Sequence, residues 1–168
     1  MNELERVKEK IVTFVKNGDL NSALIYIENY INEENKVRCF DVLCTMCDQL
    51  KGRIGAVESF GVTEDIQSNV NAIIYASQRM DIQELRELAK IFKGQMDTVL
   101  YKEAVSGVCI NPIIRDNVDY KSCEQGETYL KLHHICQETK TVLVPPEEWK
   151  QIMREYCYKN KVPYPYAQ

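Results

Sequence analysis

The sequence predicts an all-α fold in a single helical domain that spans residues 1–168. Apolar residues recur at steps of three and four along most of the chain, which is the period of an amphipathic helix. Capping residues, glycines and prolines separate these segments. Apolar residues make up 45% of the sequence, and the chain is 168 residues long. This composition and length are sufficient for a packed core without disulfide bonds.

Charge and cysteine content exclude several classes of protein. A net charge of −4 and a pI near 5.3 predict no nucleic-acid partner. No apolar run approaches the length that spans a bilayer, which predicts no stable membrane insertion, although peripheral membrane association remains open. The charged N-terminal residues do not resemble a signal peptide. The seven cysteines are odd in number and irregular in spacing, which favours reduced thiols. We therefore expect a cytoplasmic protein.

The first two predicted helices are separated by a short turn. Leu4, Val7, Ile11 and Phe14 form the apolar face of the first helix, which Asn17-Gly18 ends. Asp19 is suited to cap the second helix, because its carboxylate can accept a hydrogen bond from an unpaired amide of the first turn.

The second helix is predicted to be a long central one that reaches Phe60. Between residues 37 and 57 its apolar residues fall on two faces, which predicts that other helices cover both sides. One face contains Cys39, Val42, Leu43, Met46, Leu50 and Ile54. The other contains Val37, Phe40, Cys44 and Cys47. Gly52 and Gly55 count against a continuous helix, since each costs about 1 kcal/mol relative to alanine.

Two further helices are predicted in the middle of the chain. Thr63 is suited to cap the third, whose apolar face is formed by Ile66, Val70, Ile73 and Ile74. A connector follows over residues 76–80. Asp81 and Glu84 then have the spacing of a capping box for a fourth helix that continues to about Ala104.

The last third of the chain is less regular. Asn111-Pro112 predicts one short helical turn, and residues 117–127 a loop. Residues 129–144 fit either a small β-hairpin or a continuing helix. Pro145-Pro146 begins the last helix, which ends near Asn160 and has an apolar face formed by Trp149, Ile152, Met153, Tyr156 and Cys157. Beyond it, Tyr164 and Tyr166 are either binding anchors or part of a mobile tail.

No arrangement of residues predicts catalysis, a cofactor or a metal. Cys44 and Cys47 have the spacing of a zinc or redox half-site, and His133, His134 and Cys136 could complete it. Within a helical apolar pattern, however, cysteines are more often small buried side chains. Glu147 and Glu148 could act as a catalytic acid and base, but acidic residues in the first turn of a helix are already explained by their favourable interaction with the helix dipole. An enzyme that uses the Cys/His cluster is therefore the least favoured hypothesis for this chain.

Two short segments carry a resemblance to a known family. Residues 73–80, Ile-Ile-Tyr-Ala-Ser-Gln-Arg-Met, followed by Glu84-Leu85, resemble an aliphatic-Ala-Ala-Pro-Arg-Leu connector, and Val162-Pro163-Tyr164 resembles a terminal Val-Pro-Tyr. Leu50 to Gly55 resembles a Leu-x-x-Arg-x-Gly pattern. Together they resemble the increased-sodium-tolerance (Ist-one) family of ESCRT-III-like regulators of endosomal sorting. In this chain Gln78 replaces the connector proline, and the first helix is several turns shorter.

The resemblance implies a helical hairpin with shorter flanking helices and a C-terminal helix packed back on it. It also implies a non-enzymatic adaptor in multivesicular body sorting, recruited to endosomes. The expected partner is the C-terminal helix of an ESCRT-III subunit of the charged multivesicular body protein type, bound in a groove between helices. The vacuolar-sorting AAA ATPase is expected only as an indirect partner.

Candidate partner-binding residues lie on the last helix. Trp149, Met153 and Tyr156 share one face, where they could line a groove for a partner helix or pack into the core. The alternative function is a generic helical protein-protein adaptor in vesicle traffic or signalling.

Overall fold

Residues 2–166 are described by the computed structural model, and they form nine helices and no strand. The helices are α1 (Glu3–Lys16), α2 (Leu20–Lys51), α3 (Ile54–Phe60), α4 (Glu64–Ser77), α5 (Gln83–Lys93), α6 (Thr98–Ser106), α7 (Pro112–Asn117), α8 (Gln125–Glu138) and α9 (Glu147–Asn160). The all-α prediction is confirmed. The β-hairpin considered for residues 129–144 is wrong, because α8 occupies most of that segment.

Two groups of residues form compact units. Unit 1 contains residues 2–34 and 121–166, and unit 2 contains residues 35–120. The long helix α2 contributes its first half to unit 1 and its second half to unit 2. A single domain over residues 1–168 stays a prediction.

In unit 1, α1 and the first half of α2 form the predicted hairpin. The Asn2 side chain accepts a hydrogen bond from the Glu5 amide at 2.9 Å, and that of Asp19 accepts one from the Ser22 amide at 3.1 Å, so both helices begin with a side-chain cap. The apolar faces of α1, α2 and α8 share one core. It contains Val7, Ile11, Val15, Ala23, Ile27, Ile31, Leu132 and Ile135.

Polar contacts fix other segments of unit 1 to this hairpin. Lys8 on α1 pairs with Glu138 at the end of α8 at 3.0 Å. The buried side chain of Asn32 donates to the Lys121 carbonyl at 2.9 Å and accepts from the Lys121 amide at 2.7 Å. Because a buried amide without partners would be costly, this pair of bonds holds the segment before α8 against α2.

In unit 2, α4 is the central helix and packs against α5, α6 and α7. Its residues 70–77 are all buried, and the second half of α2 joins the same core through Cys39, Leu43, Met46 and Leu50. The connector after α4 begins at Gln78, two residues later than predicted, because Ala76 and Ser77 still belong to the helix. The helix ends at Ser77 without the family's proline, and Arg79 lies 3.6 Å above the centre of the Tyr75 ring.

Several predicted helix boundaries are wrong. Helix α2 ends at Lys51 instead of reaching Phe60, because the chain turns at Gly52-Arg53 before α3 begins. The predicted fourth helix ends at Lys93, and Asp97 then caps a separate helix α6. Glycine weakens the helix at both breaks.

Two predicted caps and one loop also differ. Asp81 makes no capping box with Glu84; it pairs with Arg86 at 3.0 Å, and Ile82 occupies the cap position. Thr63 occupies the predicted cap position, but its hydroxyl bonds to the Asp65 carboxylate rather than to an amide. The loop predicted to reach residue 127 ends earlier, where α8 begins. Asn111 does cap α7, accepting from the Ile113 amide at 2.8 Å.

The second apolar face of α2 is not covered as predicted. Val37 and Phe40 remain 46% and 49% exposed, and Cys44 is also exposed. Only the face formed by Cys39, Leu43, Met46 and Leu50 is buried. None of the helices in residues 2–166 combines the length and the apolar character that crossing a bilayer would require.

Candidate functional site

The predicted binding residues lie where α9 packs against α8 in unit 1. Pro146 precedes the first turn of α9, and Glu147 and Glu148 follow it, which favours helix initiation through the fixed proline φ and the helix dipole. Lys161 ends the helix in the left-handed conformation, at φ 57°. Leu24 of α2 joins the apolar cluster formed by α8 and α9.

Trp149 and Met153 face the interior of this helix pair. The Trp149 ring stacks on Tyr129 with 4.3 Å between ring centres and 4° between planes. Met153 is 1% exposed and lies in a cluster with Tyr129, Leu130 and Cys157. These two side chains therefore hold α9 on α8, with Met153 buried and Trp149 half-buried.

Tyr156 is half-buried and lies opposite Gly126 of α8. A Cβ placed on Gly126 of α8 would lie 2.3 Å from the Tyr156 Cβ. The two helices can therefore pack this closely only because residue 126 lacks a side chain. Next to this point is a groove of about 290 Å³, which we call the α9 groove. It is lined by Glu124, Gln125, Gly126, Ile152, Glu155, Tyr156 and Lys159.

The three predicted binding residues therefore do not share one environment. Tyr156 lines the α9 groove, whereas Trp149 and Met153 lie beneath the helix. Gly126 and Ile152 also line the groove, and neither was predicted as a binding residue. Ile152 carried a signal, since it lies on the predicted apolar face of the last helix, but the role of Gly126 depends on a contact with a residue 30 positions away.

The C-terminal segment packs on the same helix pair instead of extending freely. The Tyr166 hydroxyl lies 3.0 Å from Nδ1 of His133, and the Arg154 guanidinium lies 5.2 Å from the centre of the Tyr164 ring. Val162 and both tyrosines join the apolar cluster of α8 and α9. The mobile tail is therefore wrong for residues 162–166, and a partner-binding role of Tyr164 and Tyr166 stays a prediction.

His133 makes unit 1 sensitive to acid. Burial lowers its pKa below the ordinary value of 6.5, and repulsion from His134 adds to this effect. Between the lowered pKa and 6.5 the unfolded chain binds more protons than the folded chain. The contribution of His133 to the stability of the fold is therefore fully present above the ordinary pKa and is lost as the pH drops through the lowered one.

We expect the urea midpoint of unfolding to decrease between about pH 7 and about pH 5. His133→Gln, which keeps a polar partner for Tyr166, should make this decrease smaller. An unchanged pH profile in this variant would contradict the assignment to His133.

The structure brings no metal site together from the cysteines and histidines. Within residues 2–166, no group of three or more His, Cys, Asp or Glu side chains is arranged to hold an ion. Cys47 is half-buried, and burial, with smaller effects of Cys44 and Asp48, raises the pKa of its thiol. A thiol held in its protonated form is a poor nucleophile and a poor metal ligand.

Comparisons with known proteins agree with this architecture. The Ist1 family model, described as a regulator of Vps4 activity in the MVB pathway, matches residues 2–142. An IST1-like protein from Dictyostelium discoideum is 24% identical over 136 residues, which cover 78% of this chain and 36% of that relative. The chain thus spans little more than a third of the length of this curated relative.

A solved structure shows the same fold. The S. cerevisiae Ist1 N-terminal domain, crystallised in complex with the Did2 MIM motif, matches with a TM-score of 0.73 at 15% identity. The match covers 87% of this chain and 82% of the yeast chain. The family model accounts for most of residues 2–166 and the helical architecture agrees with it, so this chain belongs to the Ist1 family.

Proposed function

We propose that this chain is a non-enzymatic adaptor that binds the C-terminal helix of an ESCRT-III subunit and thereby regulates Vps4-type AAA ATPase activity. Its family is described as a regulator of Vps4 activity in the multivesicular body pathway, and the yeast structure of this fold contains the Did2 MIM motif. In this proposal the ATPase is reached indirectly, through the ESCRT-III filament. The protein would act in the cytoplasm on endosomes, to which its partner recruits it.

The observation that carries the proposal is the α9 groove on a firmly packed pair of helices. Trp149 and Met153 fix α9 on α8, so the groove exists before a partner arrives and little ordering is needed on binding. Tyr156 supplies an aromatic anchor that is only partly buried. Ile152 adds apolar surface for the apolar face of a partner helix, and Glu155 and Lys159 place charges of both signs in the lining.

A pair of tyrosines on α9 provides the test. Tyr156 lines the groove, whereas Tyr158 is 87% exposed and is not among the groove residues. We expect Tyr156→Ala to weaken binding of an ESCRT-III C-terminal helix peptide at least about tenfold, the loss typical of one aromatic anchor. Tyr158→Ala should bind as the unchanged protein does. Isothermal titration calorimetry measures both affinities.

Two outcomes would count against the proposal in different ways. If the unchanged protein binds no ESCRT-III C-terminal helix at high micromolar concentration, the adaptor function is wrong. If the peptide binds but both variants bind equally well, the function stands and the α9 groove is the wrong site. A circular dichroism spectrum of Tyr156→Ala is needed to show that the helices remain folded.

A further inference from the structure

The second half of α2 carries an apolar stripe that the fold of unit 2 covers only in part. We call Val37, Phe40, Cys44 and Cys47 the outer stripe. The two largest of these side chains are about half exposed, although the neighbouring face of the same helix, formed by Cys39, Leu43, Met46 and Leu50, is buried. Exposed apolar residues are common one at a time, but a continuous row of them marks a contact surface.

Phe40, Cys44 and Cys47 of the outer stripe lie in one wall of a groove, and α5 forms the other. The deeper part has a volume of about 410 Å³ and is lined mainly by apolar side chains. These are Phe40, Leu43, Cys44 and Cys47 from α2 and Ile82, Leu85 and Leu88 from α5 or its cap. A second part of about 250 Å³, which shares Cys47, Asp48 and Leu88 with the first, continues to Ile54 and Phe92. We call the whole the α2–α5 groove.

The spacing of the outer stripe matches a helix as the occupant. Positions 37, 40, 44 and 47 alternate in steps of three and four, which is the heptad seam of two helices packed side by side. From Phe40 to Lys51 the α2 wall is about 16 Å long at 1.5 Å per residue, equal to roughly three turns of a helix lying along it. An extended peptide or a compact ligand would not use this periodicity.

The charged residues of the groove indicate which side chains the bound helix carries beside its apolar stripe. Asp48 and Glu84 are the charged residues that line the deeper part, and Asp48 also borders the second part, where Lys51 lies near the end of α2. Two carboxylates on opposite walls, separated by an apolar floor, favour a helix with basic side chains on both sides of its apolar stripe.

We propose that the α2–α5 groove binds a basic amphipathic helix of another protein, with apolar residues at heptad spacing and Lys or Arg beside them. This surface lies in unit 2 and is separate from the α9 groove of the proposed function. The partner helix covers the outer stripe and pairs with Asp48 and Glu84. It thus occupies the position next to α2 that the sequence predicts to be covered and that the described helices cover only in part.

Two designed helical peptides test the proposal. Both carry leucine at heptad positions over three turns; one has lysine at the flanking positions and the other has glutamate. Fluorescence anisotropy should show the lysine peptide binding at least about tenfold more tightly than the glutamate peptide at low salt, with the difference decreasing as salt is added. Equal binding of the two peptides would overturn the proposal.

Substitutions then locate the contact. Phe40→Glu should reduce binding of the lysine peptide at least about tenfold, because it places a charge in the apolar seam at an exposed position where the fold tolerates it. Ile91→Glu is the matched control, since Ile91 is 61% exposed on α5 but does not line the groove. Equal losses in the two variants would contradict the site.

Charge reversal supplies an independent check. Asp48→Lys combined with Glu84→Lys should reverse the preference, so that the glutamate peptide binds better than the lysine peptide. An unchanged preference would show that these carboxylates do not select the partner.

If sedimentation shows that the unchanged protein dimerises and that Phe40→Glu abolishes the dimer, the occupant is a second copy of this chain and the proposal of a foreign helix is wrong. None of these measurements involves the ESCRT-III peptide, so their failure leaves the adaptor function untouched.

Discussion

Gly126→Ala is expected to destabilise the protein by about 3 kcal/mol, although alanine is normally the better helix residue. The added Cβ would lie 2.3 Å from the Cβ and 2.9 Å from the Cγ of Tyr156, and 3.1 Å from the Ile152 carbonyl oxygen. These atoms belong to the backbone of α9 or lie next to it, so no side-chain rotation relieves the overlap. Helices α8 and α9 must therefore move apart along the whole contact.

Trp149 reports this movement directly, because it is the single tryptophan and stacks on Tyr129 between the two helices. Urea unfolding followed by its fluorescence should show a lower midpoint and a more exposed indole in the folded state. The matched control is Gly55→Ala in α3, where nothing lies within 4 Å of the added Cβ. There we expect no loss, or a gain of up to about 1 kcal/mol from helix propensity. Similar effects of the two substitutions would contradict the packing of α8 on α9.

The same variant connects this packing with function. The α9 groove is formed where α8 and α9 meet, so separating the helices should also change its shape. We expect Gly126→Ala to weaken binding of the ESCRT-III C-terminal helix, whereas Gly55→Ala should leave that affinity unchanged.

Ile73→Ala should cost about 2 to 5 kcal/mol, the range for removing a large aliphatic side chain from a fully packed site. Ile73 is 0% exposed in α4, the helix against which α5, α6 and α7 all pack. The neighbouring helices have little room to move into the cavity, because the surrounding positions of α4 are buried as well. Ile91→Ala is the control: its side chain is exposed, so the change should stay within about 0.5 kcal/mol.

This substitution also tests the prediction of a single domain. Ile73 lies in unit 2 and Trp149 in unit 1, while α2 contributes buried residues to the cores of both. If the chain unfolds as one cooperative unit, Ile73→Ala lowers the Trp149 fluorescence midpoint and the circular dichroism midpoint by the same amount. Should the Trp149 midpoint stay constant while part of the circular dichroism signal is lost earlier, the units are independent domains.

The buried side of most helices could be predicted from the sequence because helical periodicity is a local property. Val7 and Ile11 in α1, and Ile66, Val70 and Ile73 in α4, are all buried as their spacing predicted. The side-chain caps of Asp19 and Asn111 were also predictable, because each carboxylate or amide bonds to a backbone amide two or three residues away.

The errors in helix boundaries have a common local cause. Gly52 and Gly94 lie in segments whose apolar periodicity continues on both sides, so the pattern alone joins two helices into one. The actual breaks depend on whether neighbouring helices stabilise the continued helix by more than glycine weakens it. That balance is set by the tertiary packing and is not contained in the spacing.

The sequence by itself determined an all-helical protein, its first hairpin and its family resemblance, since these depend on residues close together in the chain. Only the tertiary structure decided which apolar faces are covered. The outer stripe of α2 and the apolar face of α9 have equally regular spacing, yet α8 buries Met153 while Phe40 stays half exposed. Periodicity identifies a face that gains free energy on burial, but burial itself requires a partner helix that is distant in sequence.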